Sequence, residues 1–124
     1  MPVPILKQGD FLIATIQGAL TDADLIELRD VLAHRIGQLR TRGVLIDVSA
    51  LDVMDSFATR TLRNIAYSAK LRGAETMLVG IQPDVAFTMV QLGLTLEGID
   101  TALDFEEGLA ALSQKITRER ARGR

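Results

Sequence analysis

Residues 43–60 read GVLIDVSALDVMDSFATR. Val44 to Val48 form a short apolar run of the kind that fills a central strand buried on both faces. A loop follows from Ser49 to Asp55. A helix is then expected from Ser56 to Leu71, with Ala58, Leu62, Ile65, Ala66 and Ala69 facing inward. Gly73 supplies its stop. A buried strand, a loop and an amphipathic helix in succession make one unit of a parallel α/β sheet.

The same alternation extends in both directions. Toward the N-terminus, Val3–Lys7 and Phe11–Gln17 read as strands around a turn at Gln8-Gly9-Asp10. Thr21 and Asp24 have capping-box spacing, and Leu25, Leu28, Leu32, Ile36 and Leu39 make one helical stripe. That helix is expected to end near Arg42, with Gly43 as its stop. Toward the C-terminus, Thr76–Ile81 reads as a buried strand, and Pro83 opens a short helix that runs to Leu92 before Gly93. Ile99–Leu103 reads as a last strand. Asp104 and Glu107 begin a final helix with Phe105, Leu109, Leu112 and Ile116 on its apolar side. The expected class is α/β: a mixed, mostly parallel sheet of four to five strands with four helices and right-handed crossovers.

The chain has 124 residues, the size of one domain. With 48% hydrophobic and 24% charged residues, it has the balance of a folded globular protein. No cysteine and a single histidine, His34, exclude thiolate metal sites, disulfides, a cysteine nucleophile and poly-histidine centres. The net charge of −2 gives no basic field for nucleic acid, and 4% aromatics give no stacking platform for single strands. Met1 to Lys7 lacks the pattern of a signal peptide, and no apolar run is long enough for a membrane span. A cytoplasmic protein without cofactor or metal is expected.

No phosphate loop, dinucleotide fingerprint, metalloprotease motif or nucleophile elbow is present, so no catalytic residue is assigned. His34 falls on the solvent side of its helix. Asp47, Asp52 and Asp55 follow the central strand, where sites gather in open sheets, but loops and helix starts also favour aspartate. Ser56 stands where loop becomes helix. A serine there ordinarily serves as N-cap; it is also a candidate phosphoacceptor, since a helix N-terminus favours an anion. Arg60, Arg63, Tyr67 and Lys70 recur along the outward face of this helix and, with Asp55, form a candidate partner-docking face.

These residues, in this order, resemble the STAS domain of bacterial anti-sigma-factor antagonists. The resemblance is carried by Pro4-Ile5-Leu6-Lys7, Val48 through Asp55-Ser56-Phe57, Leu71-Arg-Gly-Ala74, Gly80-Ile-Gln-Pro83, Leu92-Gly93 and Thr101 through Leu109. Within that family the chain looks like the small RsbS-like stressosome scaffolds. The resemblance covers about residues 4–112 and excludes the basic tail beyond Ser113. The chain is thus expected to hold one STAS domain over residues 1–116, and the composition of 117–124 reads as a basic tail expected to fray.

The resemblance implies a non-enzymatic homo- or hetero-oligomeric scaffold. It would co-assemble with RsbR-type STAS proteins, sequester an RsbT-type serine kinase, release it on phosphorylation of Ser56 and be reset by an RsbX-type phosphatase. Thr88 is a second candidate for modification, and Thr59 a lesser one. Two other readings stay open: a simple monomeric or dimeric anti-anti-sigma factor, and a small nucleotide-binding enzyme using Asp47, Asp52 and Asp55.

Overall fold

Strand and helix alternate as β1 (Ile5–Gln8), β2 (Phe11–Thr15), α1 (Asp22–Leu39), β3 (Gly43–Asp47), α2 (Ser56–Leu71), β4 (Glu75–Val79), α3 (Pro83–Gln91), β5 (Asp100–Ala102) and α4 (Phe105–Arg122). The structure, a computed structural model, describes residues 3–122. Met1 and Pro2, where the leader reading begins, and Gly123 and Arg124, where the basic tail ends, lie outside the described residues.

The five strands form one sheet in the order β1-β2-β3-β4-β5. β1 is antiparallel to β2 across the turn at Gly9, whose φ of 60° is left-handed, and the other neighbours are parallel. This is the expected mixed, mostly parallel sheet. The paired strands are shorter than several of the apolar runs that announced them. Ile16 and Val48 continue the burial past the last paired residues and still donate to the carbonyls of Asp47 and Val79, both at 3.0 Å.

Each parallel step adds the next strand on the same side, so right-handed crossovers bring α1, α2 and α3 to one face. Leu12, Ala14, Val44, Ile46 and Leu78 point into that layer. The alternate residues Ile13, Leu45, Met77 and Val79 point the other way and meet Leu112 and Ile116 of α4. One helix therefore serves the whole second core. It follows the last strand and owes no crossover, which frees it to pack there.

Thr21 and Asp24 form a complete capping box at the start of α1, each side chain accepting the other's backbone N–H, at 3.0 and 3.1 Å. The Thr21 N–H holds the Asp24 carboxyl below its ordinary value of 3.8. The end of α1 corrects the sequence reading. The helix stops at Leu39, Arg40 takes the left-handed cap with φ of 51°, and Gly43 is the first residue of β3. Gly43 is needed for a different reason: a Cβ there would lie 2.8 Å from Phe11 Cδ1 and 2.9 Å from Leu112 Cδ2. Within the segment read as a basic tail, residues 117–122 are helical, and Arg120 bonds Asp10 at 2.8 Å.

Glu75 at the start of β4 is a buried carboxylate. Lys115 of α4 reaches it at 3.1 Å and Asp100 at 2.8 Å, while Lys70 is 3.9 Å away. The hydrogen bond to Asp100, aided by Glu75, raises the Lys115 ammonium above 10.5 in spite of partial burial. A raised lysine stabilises the fold fully below the unfolded-state pKa, and this contribution disappears as pH rises through the folded-state value. Lys115→Met is expected to cost about 1–2 kcal/mol at neutral pH, since it strips Glu75 of its nearest cation. Urea unfolding at neutral pH and above pH 10.5 checks this: the gap between wild type and variant closes in alkali. A gap that stays constant with pH refutes the assignment.

Candidate functional site

The loop between β3 and α2 is held at both ends by buried side chains and along its length by polar ties. Leu51 and Met54 are buried, 5% and 4% exposed, leaving Asp52 and Val53 outside. Asp47 accepts from the Ser49 N–H at 2.9 Å and from its hydroxyl at 2.7 Å. Gln82, just before α3, donates from Nε2 to the Ser49 carbonyl at 2.8 Å and to Asp52 Oδ1 at 3.3 Å. Gly80 lets the next strand end pass close by: a Cβ there would sit 2.8 Å from Ser49 Cβ. The sequence reading does not include Gly80 and Gln82 among the site residues. Their only signal in the sequence is the Gly80-Ile-Gln-Pro83 stretch.

The helix starts at Ser56 as expected, but its cap differs from the expectation by one residue. Asp55, not Ser56, is the N-cap. Its φ of −81° and ψ of −178° are extended, and its carboxylate accepts from the Ala58 N–H at 2.8 Å. Ser56 is therefore the first helical residue, solvent-exposed, and its hydroxyl makes no hydrogen bond among the described residues. Either residue type caps well, so composition could not choose between them. The consequence is chemical: the aspartate does the capping and the serine hydroxyl is left free.

The two other hydroxyls considered are both engaged. Thr59 is 1% exposed and donates to the Asp55 carbonyl at 2.9 Å. Thr88 is exposed on α3 but donates to the Asp84 carbonyl at 3.0 Å. On the outward face of α2, Arg63 is drawn to Thr95, 3.3 Å from its hydroxyl, and Lys70 leans toward Glu75. Arg60 and Tyr67 are exposed and have no hydrogen-bond or ion-pair partner among the described residues. Arg60 is one turn from Ser56, on the same side of the helix.

Asp47, Asp52 and Asp55 do not gather into a centre. Each is committed to local backbone or to Gln82, and no group of three or more acids or histidines among the described residues is placed to hold a metal ion. Beside Asp55 lies a cavity of about 280 Å³ with a floor of Leu25, Leu51 and Ala58 and with Asp22, Asp52 and Asp55 among its walls. His34 is exposed on α1. No described helix is long and apolar enough to cross a membrane.

The sequence profile of the STAS domain matches residues 3–107, nearly all of the sheet and its helices. The chain belongs to the STAS domain family. This STAS domain is 40% identical to a serine-to-glutamate variant of RsbS from Moorella thermoacetica, over 91% of this chain and 96% of that one, with a TM-score of 0.79. It is 41% identical to a chain in a structure of the molecular architecture of the stressosome, described as a signal integration and transduction hub. That match covers 90% of this chain and 97% of the other, with a TM-score of 0.76. Among curated proteins it is 27% identical over 88 residues to the RsbT co-antagonist protein RsbRA of Bacillus subtilis. Those residues are 71% of this chain and 32% of that protein. The STAS domain spans about a third or less of the length of such relatives.

Proposed function

We propose that this STAS domain is a cytoplasmic, non-enzymatic scaffold of the RsbS kind. It co-assembles with RsbR-type STAS proteins, holds an RsbT-type serine kinase and lets it go when Ser56 is phosphorylated; an RsbX-type phosphatase reverses the change. The observation that carries this is the state of Ser56. An exposed hydroxyl with no partner among the described residues sits on the first turn of a helix whose cap is supplied by its neighbour.

A phosphate there would bring a charge of about −1.5 to −2 to a surface already bearing Asp52 and Asp55. Arg60 is the nearby cation on the same face. The helix keeps its cap throughout, because Asp55 and not the modified residue provides it. The modification thus changes the surface field without asking the fold to change.

The test is incubation of the full chain with the RsbT-type kinase and ATP, followed by peptide mass spectrometry and a pull-down of the kinase. The expected result is one phosphate on Ser56 and loss of the retained kinase in step with it. Phosphate confined to Thr88, or kinase that stays bound to the fully modified chain, rejects the reading. A simple antagonist acting alone would give the same phosphopeptide but form no large particle with an RsbR-type partner, which sizing of the mixture decides.

A further inference from the structure

Charge is divided between the two ends of the sheet. Each loop that leaves the carboxyl end of a parallel strand, taken with the helical turn after it, carries acids and no lysine or arginine: residues 16–24, 47–59, 80–87 and 103–110. The cations gather at the opposite end. Arg40, Arg42 and Arg72 lie in the loops that enter the strands, and Lys115, Arg118 and Arg122 lie toward the end of α4. The bonds from Lys115 to Glu75 and from Arg120 to Asp10 fix that part of α4 beside the amino ends of the strands. All four helices start at the acidic end, so part of this pattern offsets their dipoles, which amount to about half a charge at each helix end. Arg118, Arg120 and Arg122 at the end of α4 exceed that several times over.

A groove of about 650 Å³ opens at the basic end, between α4 and the edge strand β5. Met77, Ile99 and Ala111 form its apolar floor, and Asp100 and Thr101 of β5 give one wall. Lys115, Arg118, Glu119 and Arg122 of α4 give the other. The size is that of a small-molecule site, and a few polar groups converging over an apolar floor are the usual make-up of one.

The charges in the groove are not equivalent. Lys115 is already held by Glu75 and Asp100. Arg118 and Arg122 are exposed and have no hydrogen-bond or ion-pair partner among the described residues, and neither has Glu119. One anionic group would gain one guanidinium and meet the repulsion of Glu119. Two anionic groups a helical turn apart would each gain a guanidinium of their own, because Arg118 and Arg122 are four positions apart on one face. We infer that this groove binds a small organic anion with two or more carboxylate or phosphate groups, held by Arg118 and Arg122 over the floor of Met77 and Ile99.

The groove and Ser56 lie at opposite ends of the sheet, so failure of one assignment leaves the other standing.

The probe is citrate, whose carboxylates are spaced along a short carbon frame. It is titrated into the full chain from about 0.01 to 10 mM at constant ionic strength, with amide NMR spectra reading the lining residues and circular dichroism confirming that each variant is folded. Citrate is expected to saturate and to shift Ile99, Thr101 and Ala111, while acetate, with one carboxylate, does not. Arg118→Gln and Arg122→Gln are each expected to weaken citrate by about tenfold. Glu119→Gln is expected to tighten it by about threefold, since it removes the opposing charge. Arg29→Gln is the control, on α1 and paired with Asp30, and should leave the affinity unchanged. Acetate that matches citrate, no saturation by 10 mM, or an equal loss in Arg29→Gln overturns the inference. So does a poly-glutamate peptide that binds where citrate does not, since an acidic protein segment then occupies the groove.

Discussion

Ser56→Ala is expected to take up no phosphate from an RsbT-type kinase and yet to melt with the wild type, its stability shifted by less than about 0.5 kcal/mol. The serine hydroxyl bonds nothing among the described residues, and alanine fits the first turn of a helix at least as well. Asp55→Ala should do the reverse. It strips the Ala58 N–H of its acceptor and takes a negative charge from the helix N-terminus, at a cost of about 0.5–2 kcal/mol. Ser56 stays available in that variant. Thermal scans paired with peptide mass spectrometry separate the two. If Ser56→Ala melts as early as Asp55→Ala, the serine is a structural cap after all. If it is still phosphorylated and still releases the kinase, the switch lies elsewhere.

The largest loss of stability is expected at Gly108, in the first turns of α4. A Cβ there would collide with Val79 Cγ1 and press on Met77 and Leu45, the floor of the second core. Val79 is a β-branched side chain on a paired strand and has little room to move. Replacing a helical glycine gains up to about 1 kcal/mol from backbone entropy. Overpacking costs about 1–3 kcal/mol, more for valine than alanine, so Gly108→Val should lose about 2 kcal/mol net. Gly18→Ala is the matched control, since nothing lies within 4 Å of the added carbon. Denaturant melts of the two variants give the answer, and a Gly108→Val chain as stable as the wild type would show that α4 does not press on the sheet.

The elements with a complete local signal were legible in the sequence. α2 begins and ends where its apolar stripe predicts, at Ser56 and Leu71, because that stripe repeats for four turns between a polar loop and Gly73. The capping box of Thr21 and Asp24 is likewise visible in four residues. What was misread depends on facts held elsewhere in the chain. Gly43 looks like a helix stop until Phe11, Leu112 and Ile116 are seen to crowd it. The tie from Arg63 to Thr95 and the pairing of Glu75 with Lys115 join residues 32 and 40 positions apart, and spacing on one helix says nothing about either. At the site itself, sequence narrows the helix start to Asp55 or Ser56. Only the backbone angles decide which one caps, and with that which one is free to react.

The neighbour-to-neighbour strand order also bears on how the chain is made. Each strand pairs with the one synthesised just before it, so the sheet can grow in step with translation and without waiting for distant segments. α1, α2 and α3 emerge between strands and cover their side of the sheet as it widens. The opposite side has no such cover, and Ile13, Leu45, Met77 and Val79 stay bare until α4 leaves the ribosome. A nascent chain paused before residue 105 would thus display a finished but half-clothed sheet. That is the interval in which this protein is most exposed to aggregation and to capture by chaperones.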